Sequence, residues 1–394
     1  MSLTGLPLAV LATVLAVGLP VGLVVLWGRV HHVLLRAGWL LLCQVFAVVL
    51  VLLLINNHFQ LYGSWRDLTG YGAGDAAGVP TVSSAAPARR SVTAPTSHAL
   101  STMARYSDGY VVNLLGVRSG VKAPVSVWLP PEYAQASYAH VRFPVVELLP
   151  GFPGTPTTWL NAMHLAQRVQ QARQQGAEPF VFVLPTITVD PPVDTECSDV
   201  PGYPKAATFL TQDVRTFVTT HLRVRTDAAG WALEGYSTGG FCAVKLALQN
   251  PGLYAAAVSL SGYFTASSGV FRPYPALARQ NSPLWLAQHG PAAPVSLLLV
   301  ASEQDHGTAA AVDAMQRSAR PPTVVDRMVL RRGGHNTRVW SPLVPATLVW
   351  LSRHLPTTGL PTGVQVVRLL SRAGRACRSA GPRRAQRGPA SVGG

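Results

Sequence analysis

Residues 231–248 read Trp-Ala-Leu-Glu-Gly-Tyr-Ser-Thr-Gly-Gly-Phe-Cys-Ala-Val-Lys-Leu-Ala-Leu. A short apolar run meets Gly235-Tyr236-Ser237-Thr238-Gly239 and passes directly into a segment with helical character. This order predicts a strand, a sharp turn and a helix, with Ser237 at the apex. The two glycines flanking the serine at a distance of two residues have a steric purpose. The turn is tight, and a Cβ at either place would strike the neighbouring strand or helix. Ser237 then stands clear of the sheet, beside a helix N-terminus that favours negative charge.

A serine hydroxyl becomes a nucleophile only when a base takes its proton and a third group orients that base. Such a turn predicts an acid and then a histidine downstream, each at the C-terminal end of a strand. The chain supplies both. The apolar run 295–300 is followed by Ser302-Glu303-Gln304-Asp305, and the run 323–330 by Arg331-Arg332-Gly333-Gly334-His335-Asn336. His335 is the candidate base. Asp305 is the first candidate for the acid and Glu303 the alternative, because spacing alone does not separate them. A pair of backbone N–H groups is also needed for the developing oxyanion. Thr238 follows the nucleophile, and Phe152 lies in the loop Pro150-Gly151-Phe152-Pro153-Gly154 after the apolar run 143–149.

Composition matters at the two ends of the chain. Charged residues make up 12% of its 394 residues, against a usual share of about 25%. Two apolar runs account for much of the deficit: 6–27 has no charge, and 33–55 is broken by Arg36 and Gln44. Each is long enough to cross a bilayer. The short basic loop between them predicts a cytoplasmic turn, with both ends facing outward. The N-terminus has no lysine or arginine before the first run, unlike a signal peptide.

The aromatics of 56–74 suit a membrane interface, and 73–103 turns to Ala, Gly, Pro, Ser and Thr, the composition of a tether. The expected organisation is a two-helix anchor at 1–58, an interfacial segment and linker at 59–103, a folded domain at 104–355 and a basic disordered tail at 356–394. That tail carries seven arginines and no acid, which suits anionic envelope polymers or lipids. No aromatic-interleaved basic surface points to nucleic acid.

Within 104–355, strands are expected at 109–117, 123–129, 143–149, 180–184, 255–260, 295–300 and 323–330. Helices are expected at 155–174, 206–222 and within 338–354. This alternation predicts an α/β domain: a mostly parallel sheet with helices on both faces, in the α/β-hydrolase arrangement. The loop 190–202 holds Asp194, Glu196 and Asp199. Asp194 and Glu196 are expected to line the substrate mouth and bind a hydroxyl-rich or cationic group; a solvated or calcium-binding acidic loop is the alternative. No His/Cys spacing suggests zinc, and no cofactor is implied. Of the four cysteines, Cys43 falls in a span and Cys377 in the tail, so Cys197 and Cys242 are expected to bond in the outer domain. Glu147 interrupts a buried strand without an evident partner.

Taken together, Leu148-Leu149-Pro150-Gly151-Phe152, the serine turn, Glu303-Gln304-Asp305 and Gly334-His335-Asn336 resemble the esterase family containing S-formylglutathione hydrolase (esterase D) and the cell-envelope mycolyltransferases. The similarity spans about 108–355, and the two apolar spans resemble its membrane-anchored bacterial members. The resemblance implies serine-dependent cleavage or transfer of an acyl ester, with the Phe152 and Thr238 amides as the oxyanion hole. Mycolyltransferases carry an aspartate before the first loop glycine, an arginine two residues beyond it and an aromatic two residues after the histidine. Here those positions are Pro150, Pro153 and Thr337. The departures point to ester hydrolysis of a lipid or envelope glycolipid outside the cytoplasmic membrane. Acyl transfer on the same site and a non-catalytic envelope-binding protein are the alternatives.

Overall fold

The computed structural model describes residues 6–59, 104–106, 109–305 and 307–358. The interfacial segment and linker expected at 59–103, from residue 60 onward, and the basic tail beyond 358 lie outside the described residues.

Two apolar helices, α1 (Leu6–Leu26) and α2 (Val33–Phe59), pair with one another. Both are long and apolar enough to cross a membrane. Their outward side chains include Val14, Val24, Leu34 and Leu41, all exposed. Arg36, which breaks the second apolar run, closes the turn between the helices. Its guanidinium donates to the Val30 and Trp27 carbonyls at 2.6 and 2.9 Å and lies 4.4 Å from the centre of the Trp27 ring. A cation therefore meets the carbonyl-rich end of α1, where the helix dipole favours it.

Among the described residues, nine strands form one sheet in the order β1-β2-β3-β5-β4-β6-β7-β8-β9. These are β1 (Ala104–Tyr106), β2 (Gly109–Leu115), β3 (Lys122–Trp128), β4 (Val145–Leu149), β5 (Val181–Pro185), β6 (Trp231–Tyr236), β7 (Ala256–Leu260), β8 (Ser296–Ser302) and β9 (Val324–Leu330). The pairings β1–β2, β2–β3 and β3–β5 are antiparallel, and the others are parallel. This is the mostly parallel α/β sheet expected from the sequence. The central strands read as near-continuous apolar runs because both faces are covered.

Alternate residues of each strand go to opposite layers. On one face Val145, Leu233, Ala257 and Leu299 join the core with the helices α4 (Thr238–Gln249) and α5 (Thr308–Ser318). On the other face Val146, Ala232, Val258 and Leu298 pack against α3 (Leu165–Gln174) and α6 (Val344–His354).

Two expected helices differ in detail, and two short helices were not expected. The helix expected over 155–174 is broken into Pro156–Leu160 and α3, because His164 adopts a left-handed φ of 52°. The helix expected over 206–222 is regular only at its ends, with a π-helical turn at Phe209–Val214 between them. The short helices Pro275–Gln280 and Pro283–His289 fill a stretch whose sequence lacks a long apolar period.

Two buried carboxyls sit on adjacent central strands, facing opposite layers. Glu147 accepts from the Tyr254 hydroxyl at 3.3 Å, which supplies the partner its sequence context did not reveal. Glu234 accepts from the Thr347 hydroxyl at 2.6 Å. Burial pushes each up to about 8, against the opposing pull of Arg215 on Glu147 and of the Thr347 bond on Glu234. An unfolded glutamate titrates near about 4.3, so between these values the folded chain holds protons that the unfolded chain has lost. The stability these groups contribute is complete below the lower value and is lost as pH rises toward the upper one. Glu234→Gln should therefore gain in melting temperature on the wild type as pH is raised from about 5 to about 8. A difference that stays constant in calorimetry across that range contradicts this.

Cys197 and Cys242 are bonded, joining the acidic loop to α4 across 45 residues of sequence. Loop closure of that length constrains the unfolded chain. The double variant Cys197→Ser, Cys242→Ser should lose about 2–4 kcal/mol in denaturant unfolding. An unchanged midpoint and slope would show that the bond contributes no stability.

Candidate active site

β6 is buried along its whole length and ends at Tyr236. The next residue, Ser237, takes φ 55° and ψ −124°, and α4 begins at Thr238. A non-glycine residue in that region is strained, and the surroundings hold it there. The Ser237 amide donates to the Leu260 carbonyl at 2.9 Å, and its carbonyl accepts from the Phe241 amide at 3.1 Å. The turn closes only because its neighbours lack side chains. A Cβ on Gly235 would lie 2.2 Å from the backbone of Gly239, and one on Gly239 would lie 2.2 Å from the Leu149 carbonyl oxygen. The nucleophile turn is thus pressed onto the end of β4.

The loops after β8 and β9 bring the other two groups to it. Asp305 is buried, and its backbone carbonyl accepts from the Thr308 hydroxyl at 2.8 Å. His335 Nδ1 lies 2.9 Å from Asp305 Oδ2, and its Nε2 lies 2.8 Å from Ser237 Oγ. With Nδ1–H donated to the carboxylate, Nε2 carries the lone pair that accepts the Ser237 O–H. Glu303, the alternative acid, is exposed and shares a surface depression with Asp313 and Arg327. It does not approach the imidazole.

The loop after β4 rests on the same apex. A Cβ on Gly151 would meet the Tyr236 ring at 2.9 Å and Ser237 Cβ at 3.0 Å, so the backbone at Gly151 runs directly against Ser237. Thr238 stands at the first position of α4, where backbone amides have no intrahelical acceptor. Gly151, which precedes Phe152, and Thr238 therefore both adjoin Ser237.

The two acids expected at the mouth have different surroundings. Asp194 is half-buried; its Oδ1 accepts from the Glu196 amide at 2.7 Å, and the Thr238 hydroxyl bonds its carboxylate. Burial pushes this carboxyl up to about 6, opposed by the bond from the Glu196 amide. Glu196 is a correction to the expectation. It is buried, and its carboxylate accepts from the Tyr263 hydroxyl (2.8 Å), the Ser267 amide (3.0 Å) and hydroxyl (3.1 Å) and the Ser268 amide (3.0 Å). The four donors converge on its Oε1, so this buried carboxylate pins the 263–268 loop. Asp199 binds the amide and hydroxyl of Thr208. Among the described residues, no group of three or more His, Cys, Asp or Glu side chains converges on a metal position.

Lys245 went unnoticed in the sequence. It is fully buried under the acidic loop and donates to the Glu196 and Cys197 carbonyls (2.7 and 2.6 Å) and to Ser198 Oγ (2.6 Å). Burial lowers its ammonium to about 7, against the pull of Glu196, Asp199 and Asp194. The signal was available: one lysine in an otherwise apolar helix requires acceptors brought to it from elsewhere. Trp340, packed against His335, was likewise not singled out.

Comparison with known proteins follows the same outline. The sequence model of the family described as Putative esterase matches residues 117–351, more than half of the chain. A ferulic acid esterase structure is 20% identical with a TM-score of 0.53, covering 62% of this chain and 97% of that one. The S-formylglutathione hydrolase of Agrobacterium tumefaciens is 16% identical with a TM-score of 0.53, covering 64% and 98%. At such identities these likenesses establish the fold. An uncharacterized protein of Corynebacterium glutamicum is 24% identical over 250 residues, 57% of this chain and 56% of that protein, so the match spans about half of each. With its sheet, its serine turn and this match in agreement, the chain belongs to the Putative esterase family.

Proposed function

We propose that the protein is a membrane-anchored serine esterase that hydrolyses acyl esters at Ser237, with His335 as general base and acid and Asp305 as the orienting carboxylate. The observation that carries this reading is the unbroken chain from Asp305 Oδ2 through the imidazole to Ser237 Oγ, at 2.9 and 2.8 Å. The family match supports ester chemistry at that position.

In the first half-reaction Ser237 Oγ attacks the ester carbonyl as its proton passes to His335 Nε2. The tetrahedral oxyanion is held by the Phe152 and Thr238 amides, each such donor contributing about 3–4 kcal/mol. The N-terminus of α4 adds its positive potential. His335 then gives the proton to the leaving alcohol as the C–O bond breaks, which leaves an acyl group on Ser237. Water, deprotonated by the same nitrogen, reverses the sequence and releases the acid. Asp305 keeps its negative charge throughout and stabilises the imidazolium.

Asp194 supplies a carboxylate next to Thr238 that can accept from a hydroxyl of the departing alcohol. A lipid-like ester fits the anchor: α1 and α2 hold the catalytic domain at a bilayer, on the extracytoplasmic side if the basic turn between them faces the cytoplasm. The arginine-rich tail, 356–394, would meet anionic lipid or polymer at that surface.

Two experiments test the reading. With p-nitrophenyl acetate, Asp305→Asn should fold normally and lose about 10⁴-fold in kcat, while Glu303→Gln retains the wild-type rate. The reverse pattern assigns the acid to Glu303. For topology, Lys122→Cys in a background of Cys43→Ala and Cys377→Ala should react with an impermeant maleimide on intact cells. Labelling only after lysis would put the domain in the cytoplasm.

A further inference from the structure

His335 is carried by a loop with few ties of its own. Gly333 donates to Gln304 Oε1 at 3.1 Å, Asn336 donates to the Gly334 carbonyl at 3.0 Å, and the imidazole is 37% exposed. Its two polar contacts leave from nearly opposite sides of the ring. They fix a line through the imidazole but leave the ring free to tilt about it. One further contact removes that freedom. Trp340 meets the imidazole edge-to-face, with centroids 4.8 Å apart and planes at 88°.

Trp340 is itself rigid. It is 3% exposed, and its Nε1–H donates to Ser261 Oγ at 2.9 Å. Ser261 follows Leu260, the residue whose carbonyl accepts the Ser237 amide, and the Ser261 amide donates to the Val300 carbonyl at 2.8 Å. The indole also stacks on Tyr236 at 5.0 Å, and Tyr236 packs on the fully buried Trp159 at 5.5 Å. Tyr236 immediately precedes the nucleophile, and the Gly151 loop rests on its ring. The short helix that carries Trp340 is capped by Asn336, whose Oδ1 accepts from the Arg338 and Val339 amides at 3.1 and 3.3 Å. The cap residue adjoins His335, so base, cap and indole form one unit.

We infer that Trp340 is a positioning residue: the column Trp159–Tyr236–Trp340 sets the tilt of the His335 imidazole relative to Ser237 and refers the nucleophile, the base and the oxyanion loop to one rigid stack. The inference rests on the serine-esterase reading above. A tilted imidazole binds ester as well as an aligned one but transfers the proton poorly, so the effect belongs in kcat and not in KM.

The test uses the full chain in detergent micelles, with p-nitrophenyl acetate turnover and the rate of inactivation by a fluorophosphonate probe. Trp340→Leu should lower kcat and the inactivation rate by about 10- to 100-fold with KM within about twofold, and Trp340→Phe should recover most of the loss. Ser261→Ala removes the indole anchor with little change in volume and should lower kcat in the same sense. A folded Trp340→Leu with wild-type kcat, or a loss that appears in KM alone, overturns the inference. If Trp340→Leu fails to fold, Ser261→Ala decides: a lower kcat at constant KM supports the column, and an unchanged kcat refutes it. Ser237→Ala separates the two readings. Retained turnover in that variant removes the serine mechanism itself, whereas an inactive Ser237→Ala beside normal Trp340 and Ser261 variants removes only the role of the indole.

Discussion

The site depends on a close approach between backbones. The turn at Ser237 is pressed against the end of β4 so tightly that no side chain fits at Gly239, and the helix that follows leaves no room for one at Gly235. That contact sets the turn at Ser237, brings the backbone at Gly151 alongside it and starts α4 at Thr238, whose amide has no intrahelical acceptor. The strained φ of Ser237 is the local cost, of the order of 1–3 kcal/mol, and it is sustained by a strand buried on both faces. The proposed nucleophile and one proposed oxyanion donor thus share one steric arrangement.

The acidic loop is organised by a second principle, the satisfaction of buried charge. Lys245 cannot stay charged under an apolar helix face unless all three of its donors are used, and the Glu196–Ser198 backbone and side chain use them. Glu196 in turn gathers the 263–268 loop through four donors. The Cys197–Cys242 bond ties the same segment to the same helix. Asp194 is what remains accessible once those demands are met. This layered support fixes the acidic loop to the helix that begins beside Ser237.

Much of this was legible in the chain before any coordinates. The parallel core reads as short apolar runs because its strands are buried on both faces, and the glycine spacing around Ser237 has a single steric explanation. The pairing of Cys197 with Cys242 was expected, and the bond is there. Other features were hidden for physical reasons. Asp305 and Glu303 are separated by two residues, and only the turn at Ser302–Asp305 decides which one faces the imidazole. Glu196 looked like a cleft residue because acids are usually solvated; its burial depends on donors some 70 positions away. The break at His164 and the π-helical turn at Phe209–Val214 leave the apolar periodicity nearly intact, so tertiary packing and not pattern sets them. Trp340 carries no motif, and its contact with His335 emerges only when the column assembles.

The central claim is a covalent one: acyl transfer passes through an ester bond to Ser237 Oγ. Rapid quenching of the full-length protein during turnover of a slowly deacylated p-nitrophenyl ester, followed by peptide mass spectrometry, tests it most directly. The account predicts a mass increment of one acyl group on the peptide containing Ser237. Turnover with that peptide unmodified, or with the acyl group on another residue, would contradict it.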